Sequence, residues 1–116
     1  ARLGLLVLAN GDWEGQPVVK NKSYMRDMLE SSQPLNPAYG YLWWLNGKSH
    51  AFRAGRLREG PLNSNAPEDM VAGLGALGRK LYVVPNRQLV MVRLGDQPEV
   101  GFDAKLWGYF SKVLDH

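Results

Sequence analysis

Between Gly73 and Pro85 this chain has no room for a helix, and that limits what it can build. Gly73-Leu74-Gly75-Ala76-Leu77-Gly78 matches G-x-G-x-x-G, the turn that delivers a dinucleotide pyrophosphate to a helix N-terminus. The chain continues as Arg79-Lys80-Leu81-Tyr82-Val83-Val84-Pro85. Tyr82, Val83 and Val84 favour a strand. Pro85 leaves six residues after Gly78, too few for a crossover helix. Asp96 stands where a ribose-binding acid would, but without the helix that spacing carries nothing. The stretch therefore reads as a glycine-rich strand entering a hairpin. Glycines inside a strand mark places where a ligand or another backbone comes close. The cluster predicts a bare main-chain edge facing a cleft; a tight packing crossing without a ligand is the plainer alternative.

The 116 residues give room for one domain. Apolar residues at 45% and charged residues at 22% describe a globular chain rather than a disordered one. The net charge is +3, yet the 14 Lys and Arg are scattered without a run of five, so no nucleic-acid partner is expected. The absence of cysteine excludes disulfides, cysteine-based zinc sites and a thiol nucleophile. His50 and His116 are too few for a histidine-rich metal site, and neither metal nor cofactor is expected. No apolar stretch approaches the length of a membrane span, and no signal peptide is visible.

In order, Ala1–Gly11 is an almost continuously apolar helix capped at Asn10-Gly11, expected to be buried on most sides. An apolar helix at the first residue predicts a chain cut from something longer. Trp13–Val19 reads as a loop, leading to a helix near Ser23–Ser31 with Tyr24, Met25, Met28 and Leu29 as its apolar stripe. Tyr39–Leu45 reads as an aromatic-rich strand closed by Asn46-Gly47. It serves either as core or as a stacking platform. Lys48–Asp69 is a long irregular segment of the kind that is functional or mobile. Leu89–Leu94 reads as a strand buried on both faces, after a Pro85–Gln88 turn. Phe102, Leu106, Phe110, Val113 and Leu114 line a final helix, with Asp103 at its N-terminus. The fold class expected is α+β, an antiparallel sheet flanked by helices.

Catalytic groups are sparse. Ser49, His50 and Asp69 can be written as a triad, but no spacing supports it. Glu68-Asp69 read as surface or capping carboxylates rather than acid–base machinery. No S-x-x-K, Y-x-N or S-x-N pattern occurs.

Ala1–Gly11, Tyr39–Trp44 and above all Ala66–Asp96 resemble the C-terminal part of serine β-lactamase-like hydrolases. That family includes class C β-lactamases, D,D-peptidases, related esterases and 6-aminohexanoate-dimer hydrolases. Its strand of the type H-T-G-F-T-G, a proline seven residues on and a further L-V-V-V strand fall on Gly73–Gly78, Pro85 and Leu89-Val90-Met91-Val92 without a gap. The resemblance implies that residues 1–116 are the C-terminal portion of a single β-lactamase/transpeptidase-like domain. Residues 1–35 would form its helical segment, and residues 36–116 would supply sheet strands, the long loop 48–69 and the C-terminal helix.

The resemblance also implies acyl transfer through an acyl-enzyme. In the family a serine in S-x-x-K attacks the carbonyl, with that lysine and a tyrosine handling protons; all three would precede Ala1. Carried across, the family's third motif falls on Gly73, Leu74 and Gly75 as substrate-binding positions. Ala76 then offers its backbone N–H to the oxyanion hole, where a fixed main-chain dipole is what the chemistry requires. The departure is that Gly73 and Leu74 replace a cation and a hydroxyl that help hold a carboxylate such as penicillins carry. An ester or amide is therefore expected as substrate ahead of a β-lactam, with Arg53, Arg56 or Arg58 available as replacement cations. Expected partners are that small molecule and the missing N-terminal part; family resemblance points to a periplasmic or secreted protein. A noncatalytic packing or binding lobe is the alternative, and a nucleotide-binding module through Gly73–Gly78 is another.

Overall fold

The computed structural model describes residues 1–115, so His116 lies outside the described residues. The chain is α+β: a four-stranded antiparallel sheet with a helix on each face, and two small hairpins outside it. The sheet contains β3 (Trp44–Leu45), β6 (Val71–Leu74), β7 (Lys80–Val84) and β8 (Leu89–Arg93), in the order β3-β6-β7-β8. Side chains alternate across a strand, so each strand feeds two cores. Ala72, Tyr82 and Val84 face α3 (Phe102–Leu114), while Val71 and Val83 face α1 (Arg2–Leu8). β8, expected to be buried on both faces, is an edge strand and only half-buried: Leu89 and Met91 pack against one core and Val90 against the other, while Val92 is exposed.

α1 is shorter than its apolar run. Asn10 takes the left-handed conformation and donates to the Val7 carbonyl at 3.0 Å, while the Gly11 N–H reaches the Leu6 carbonyl at 2.9 Å, a Schellman cap. Only one side of the helix meets the sheet, at Gly4 and Val7. A Cβ at Gly4 would press into Val90 and Leu81, so glycine sets this close approach. Burial on most sides is not observed: Leu3 is 56% and Leu5 46% exposed.

Three segments differ from the sequence expectation, two of them by being more ordered. Where the sequence predicts a loop over Trp13–Val19, residues 12–17 form the hairpin β1 (Asp12–Trp13) and β2 (Gln16–Pro17), closed by Glu14 and Gly15 with φ of 48 and 78. The segment Lys48–Asp69 contains another, β4 (His50–Arg53) and β5 (Arg56–Glu59), closed by Ala54 and Gly55 with φ of 51 and 73. Two successive positive φ values make type I′ turns, whose twist matches the flanking strands. Conversely, the expected strand Tyr39–Leu45 is strand only at Trp44–Leu45. Gly40 donates to the Trp43 carbonyl at 2.8 Å and Leu42 adopts φ 66, so the aromatic run folds back on itself. A Cβ at Gly40 would sit 2.8 Å from the Glu30 carbonyl oxygen, which fixes this turn against the end of α2 (Lys22–Met28).

α3 packs through most of the expected stripe, but its centre is a residue outside that stripe. Trp107 is fully buried at its centre, with Leu106, Phe110 and Leu114 around it, while Val113 is exposed. Asp103, Trp107, Phe110 and Leu114 follow i, i+4, i+7, i+11, so Asp103 belongs to the face turned to the sheet.

Candidate functional site

The strand β6 is covered unequally along its two edges. β3 pairs only with Val71 and Ala72. Beyond them Gly73 and Leu74 pair with Leu81 and Lys80 of β7 alone. The Gly75 N–H turns toward β7 and donates to the Arg79 carbonyl at 2.8 Å. Backbone direction alternates along an antiparallel strand, so Leu74 and Ala76 turn the other way, toward the uncovered edge. Among the described residues the Ala76 N–H has no protein acceptor. Ala76 then begins one 3-10 turn, Ala76–Gly78, in which Leu77 and Gly78 have φ of 58 and 69.

Gly75, Ala76, Leu77 and Gly78 form one wall of an open groove of about 780 Å³. The hairpin β4–β5 supplies another wall through Arg53 and Arg58, and the segment from Gln97 to Ala104 a third. The volume falls in the range of small-molecule sites. Side chains not singled out by the sequence hold these walls together. Asn36 clamps the hairpin: its Nδ2 donates to the Phe52 carbonyl at 2.8 Å and its Oδ1 accepts from the Phe52 N–H at 3.0 Å. Buried Asn46 gathers the Asn63 and Pro67 carbonyls, each at 2.9 Å, fixing the loop beside the groove. Arg93 donates to the carbonyls of Gly78 and Asp96, both at 3.0 Å, and stacks over Phe102 at 4.9 Å. It ties the glycine turn to the approach to α3.

At the base of the groove Asp103 accepts from Lys80 Nζ on one oxygen and from the Tyr82 hydroxyl, at 2.7 Å, on the other. The Lys80 side chain is only 9% exposed, and charge pairing is what allows it there. Burial first, then the Asp103 carboxylate, pushes the Tyr82 phenol far above its ordinary range. The folded state therefore holds that proton after the unfolded chain has lost it. Stability from this group is complete below about pH 10 and falls above it by up to about 1.4 kcal/mol per pH unit. Urea titrations from neutral to strongly alkaline pH should show this loss, and Tyr82→Phe should flatten it; an unchanged slope in the variant would contradict the assignment.

The positions expected from the sequence divide between two faces. Gly75 and Ala76 border the groove. The Leu74 side chain packs into the α3-side core. Gly73 opens onto a separate apolar hollow of about 350 Å³ beside Leu6, Trp43 and Leu81 on the α1 face. Of the three candidate arginines, Arg53 and Arg58 line the groove and Arg56 does not.

Ser49 Oγ lies 3.0 Å from His50 Nδ1, but Asp69 accepts from the Asn86 N–H at 2.7 Å, fastening the turn after β7. A strand occupies Lys80–Val84 where a nucleotide-binding turn would need its helix. Among the described residues no group of three His, Cys, Asp or Glu is placed to hold a metal, and no helix is long and apolar enough to cross a membrane. Comparison with protein-family models and with curated proteins gives no match to this chain.

Proposed function

We propose that this chain is the C-terminal lobe of a serine hydrolase that transfers acyl groups through an acyl-enzyme, acting on an ester or amide ahead of a β-lactam. The observation that carries the reading is the Ala76 N–H, unpaired among the described residues on an uncovered strand edge and bordering a groove of about 780 Å³. A donor held by a strand and a tight turn is oriented before any substrate arrives. That is the condition under which a dipole lowers the barrier to a tetrahedral oxyanion. The resemblance of Ala66–Asp96 to the third-motif strand of β-lactamase-like hydrolases supports the same role.

The nucleophile belongs to polypeptide preceding Ala1, since no S-x-x-K occurs in these residues. Its serine oxygen attacks the substrate carbonyl, and negative charge develops on the carbonyl oxygen against the Ala76 N–H. The alcohol or amine leaves with a proton, and water releases the acid. By itself this chain is inactive. A noncatalytic packing lobe is the second reading, favoured by the apolar hollow beside Leu3 and Leu42, both exposed.

Intact-mass analysis of the native protein after fluorophosphonate treatment tests the proposal. The expected tag lies on polypeptide that accompanies or precedes residues 1–116. A tag within residues 1–116 would overturn the placement of the nucleophile, and no tag anywhere would select the packing lobe.

A further inference from the structure

We infer that the β4–β5 hairpin is an anion-recognising wall and that the substrate carries a carboxylate which Arg53 and Arg58 hold. The inference rests on the hydrolase reading for the bond that is cleaved, but not for the group that is bound. The register pairs Arg53 with Arg56 and Ala51 with Arg58. Directly paired residues share a face and the next pair takes the other, so all three guanidinium groups lie on one side of a hairpin only four residues long in each strand. Like charges directly across a ladder are destabilising. Among the described residues none of the three arginines forms an ion pair with a carboxylate.

The acids that border the groove are already engaged. Asp103 is taken by Lys80, and Glu99 by Lys105 at 2.7 Å. Arg53 and Arg58 are left as uncompensated charge on one wall, facing a main-chain edge on another. Arg53 is also held in place. Its guanidinium carbon lies 5.6 Å from the centre of the Trp44 ring, and the neighbouring Phe52 backbone is clamped by Asn36. A restrained planar guanidinium suits the two oxygens of a carboxylate.

The charge thus sits across the groove from Ala76 rather than on β6 itself. A carboxylate on Arg53 and Arg58 with a carbonyl at Ala76 describes a substrate whose acid group is joined to the scissile bond through a spacer. An ester or amide of a dicarboxylic acid, or an acylated amino acid, has that form.

The test is binding, so that it does not depend on turnover. Levulinate, a keto acid with no cleavable bond, and a neutral counterpart, levulinamide, are titrated onto the protein and followed by amide chemical shifts. Levulinate is expected to bind at least about tenfold more tightly, as a charge-assisted contact implies. Its shifts should centre on Arg53, Arg58 and Ala76, and added salt should weaken it. Arg53→Gln with Arg58→Gln should bring the ratio of the two affinities to about one. Arg58→Gln alone, at an exposed position, should give an intermediate ratio and guards against misfolding of the double variant. Equal affinities in the unaltered protein, or a preference that survives the double substitution, would overturn the inference. Preference for levulinate with no fluorophosphonate tag would overturn the hydrolase and leave the anion site standing.

Discussion

Ala76→Pro is expected, on the proposed hydrolase reading, to lower ester turnover by the full-length protein about 100- to 1,000-fold while leaving its unfolding free energy almost unchanged. Proline removes the N–H, fixes φ and demands an extended residue before it. The site already meets the demand on the preceding residue. Gly75 has φ −96 and ψ 172, and Ala76 is the first residue of its 3-10 turn, the position in a helix where proline is best tolerated. The fold uses the Ala76 carbonyl, which accepts from the Arg79 N–H at 3.2 Å, and that group survives the substitution. Only the unpaired donor is lost. Ala76→Gly, which keeps the donor, should stay within a few-fold of the parent. A folded Ala76→Pro enzyme of normal activity would remove Ala76 from the oxyanion hole.

Trp107→Ala is expected to destabilise the chain by about 3–5 kcal/mol, read as a fall in the urea midpoint. Trp107 is fully buried, meets the Tyr82 ring edge-on at 5.3 Å and packs beside Phe110 at 6.2 Å between ring centres. Removing the indole opens a cavity between α3 and the sheet that those rings cannot close. Yet the indole N–H has no acceptor among the described residues, and an unpaired buried donor is itself costly. Trp107→Phe deletes that donor along with part of the volume, so the two effects oppose. Its cost should be well under half that of Trp107→Ala. Equal losses in the two variants would mean that the indole nitrogen has a partner, such as a buried water.

The sheet and its last helix were legible because their signals are local and redundant. Tyr82-Val83-Val84 and Leu89-Val90-Met91-Val92 are apolar, bounded by turn residues and correctly read as strands. The hairpins were not legible. Their turns are Glu14-Gly15 and Ala54-Gly55 rather than Asn-Gly or Asp-Gly, and β5 is Arg-Leu-Arg-Glu with every residue exposed. A strand that buries nothing leaves no hydrophobic period. The aromatic run Tyr39–Trp43 misled in the other direction. Its side chains favour a strand, but the backbone turns where Gly40 must fit beneath the Met28 and Glu30 carbonyls, a constraint written elsewhere in the chain.

The candidate site divides in the same way. The glycine pattern marks a bare strand edge within a few residues, and Ala76 is singled out on it only by the resemblance to β-lactamase-like hydrolases. The wall it faces depends on pairs such as Asn36 with Phe52, Asn46 with Asn63, and Lys80 with Asp103. Such pairs are separated by many residues and share no period. Asp103 shows the limit well. Sequence alone places it at a helix N-terminus, whereas its bonds to Lys80 and Tyr82 come from a helix phase that only packing reveals.

The β4–β5 hairpin forms a sheet of its own and shares no ladder with the four main strands. The space around Gly55 at its tip is open. The hairpin's fastenings to the body are the buried Ala51, the Asn36 clamp on Phe52 and Arg53 over the Trp44 ring, all on β4. It is therefore anchored along one strand and free along the other. Changes at Ala54, Gly55 or β5 should cost the fold little, whereas changes at Ala51 or in the clamp on Phe52 should release the whole flap.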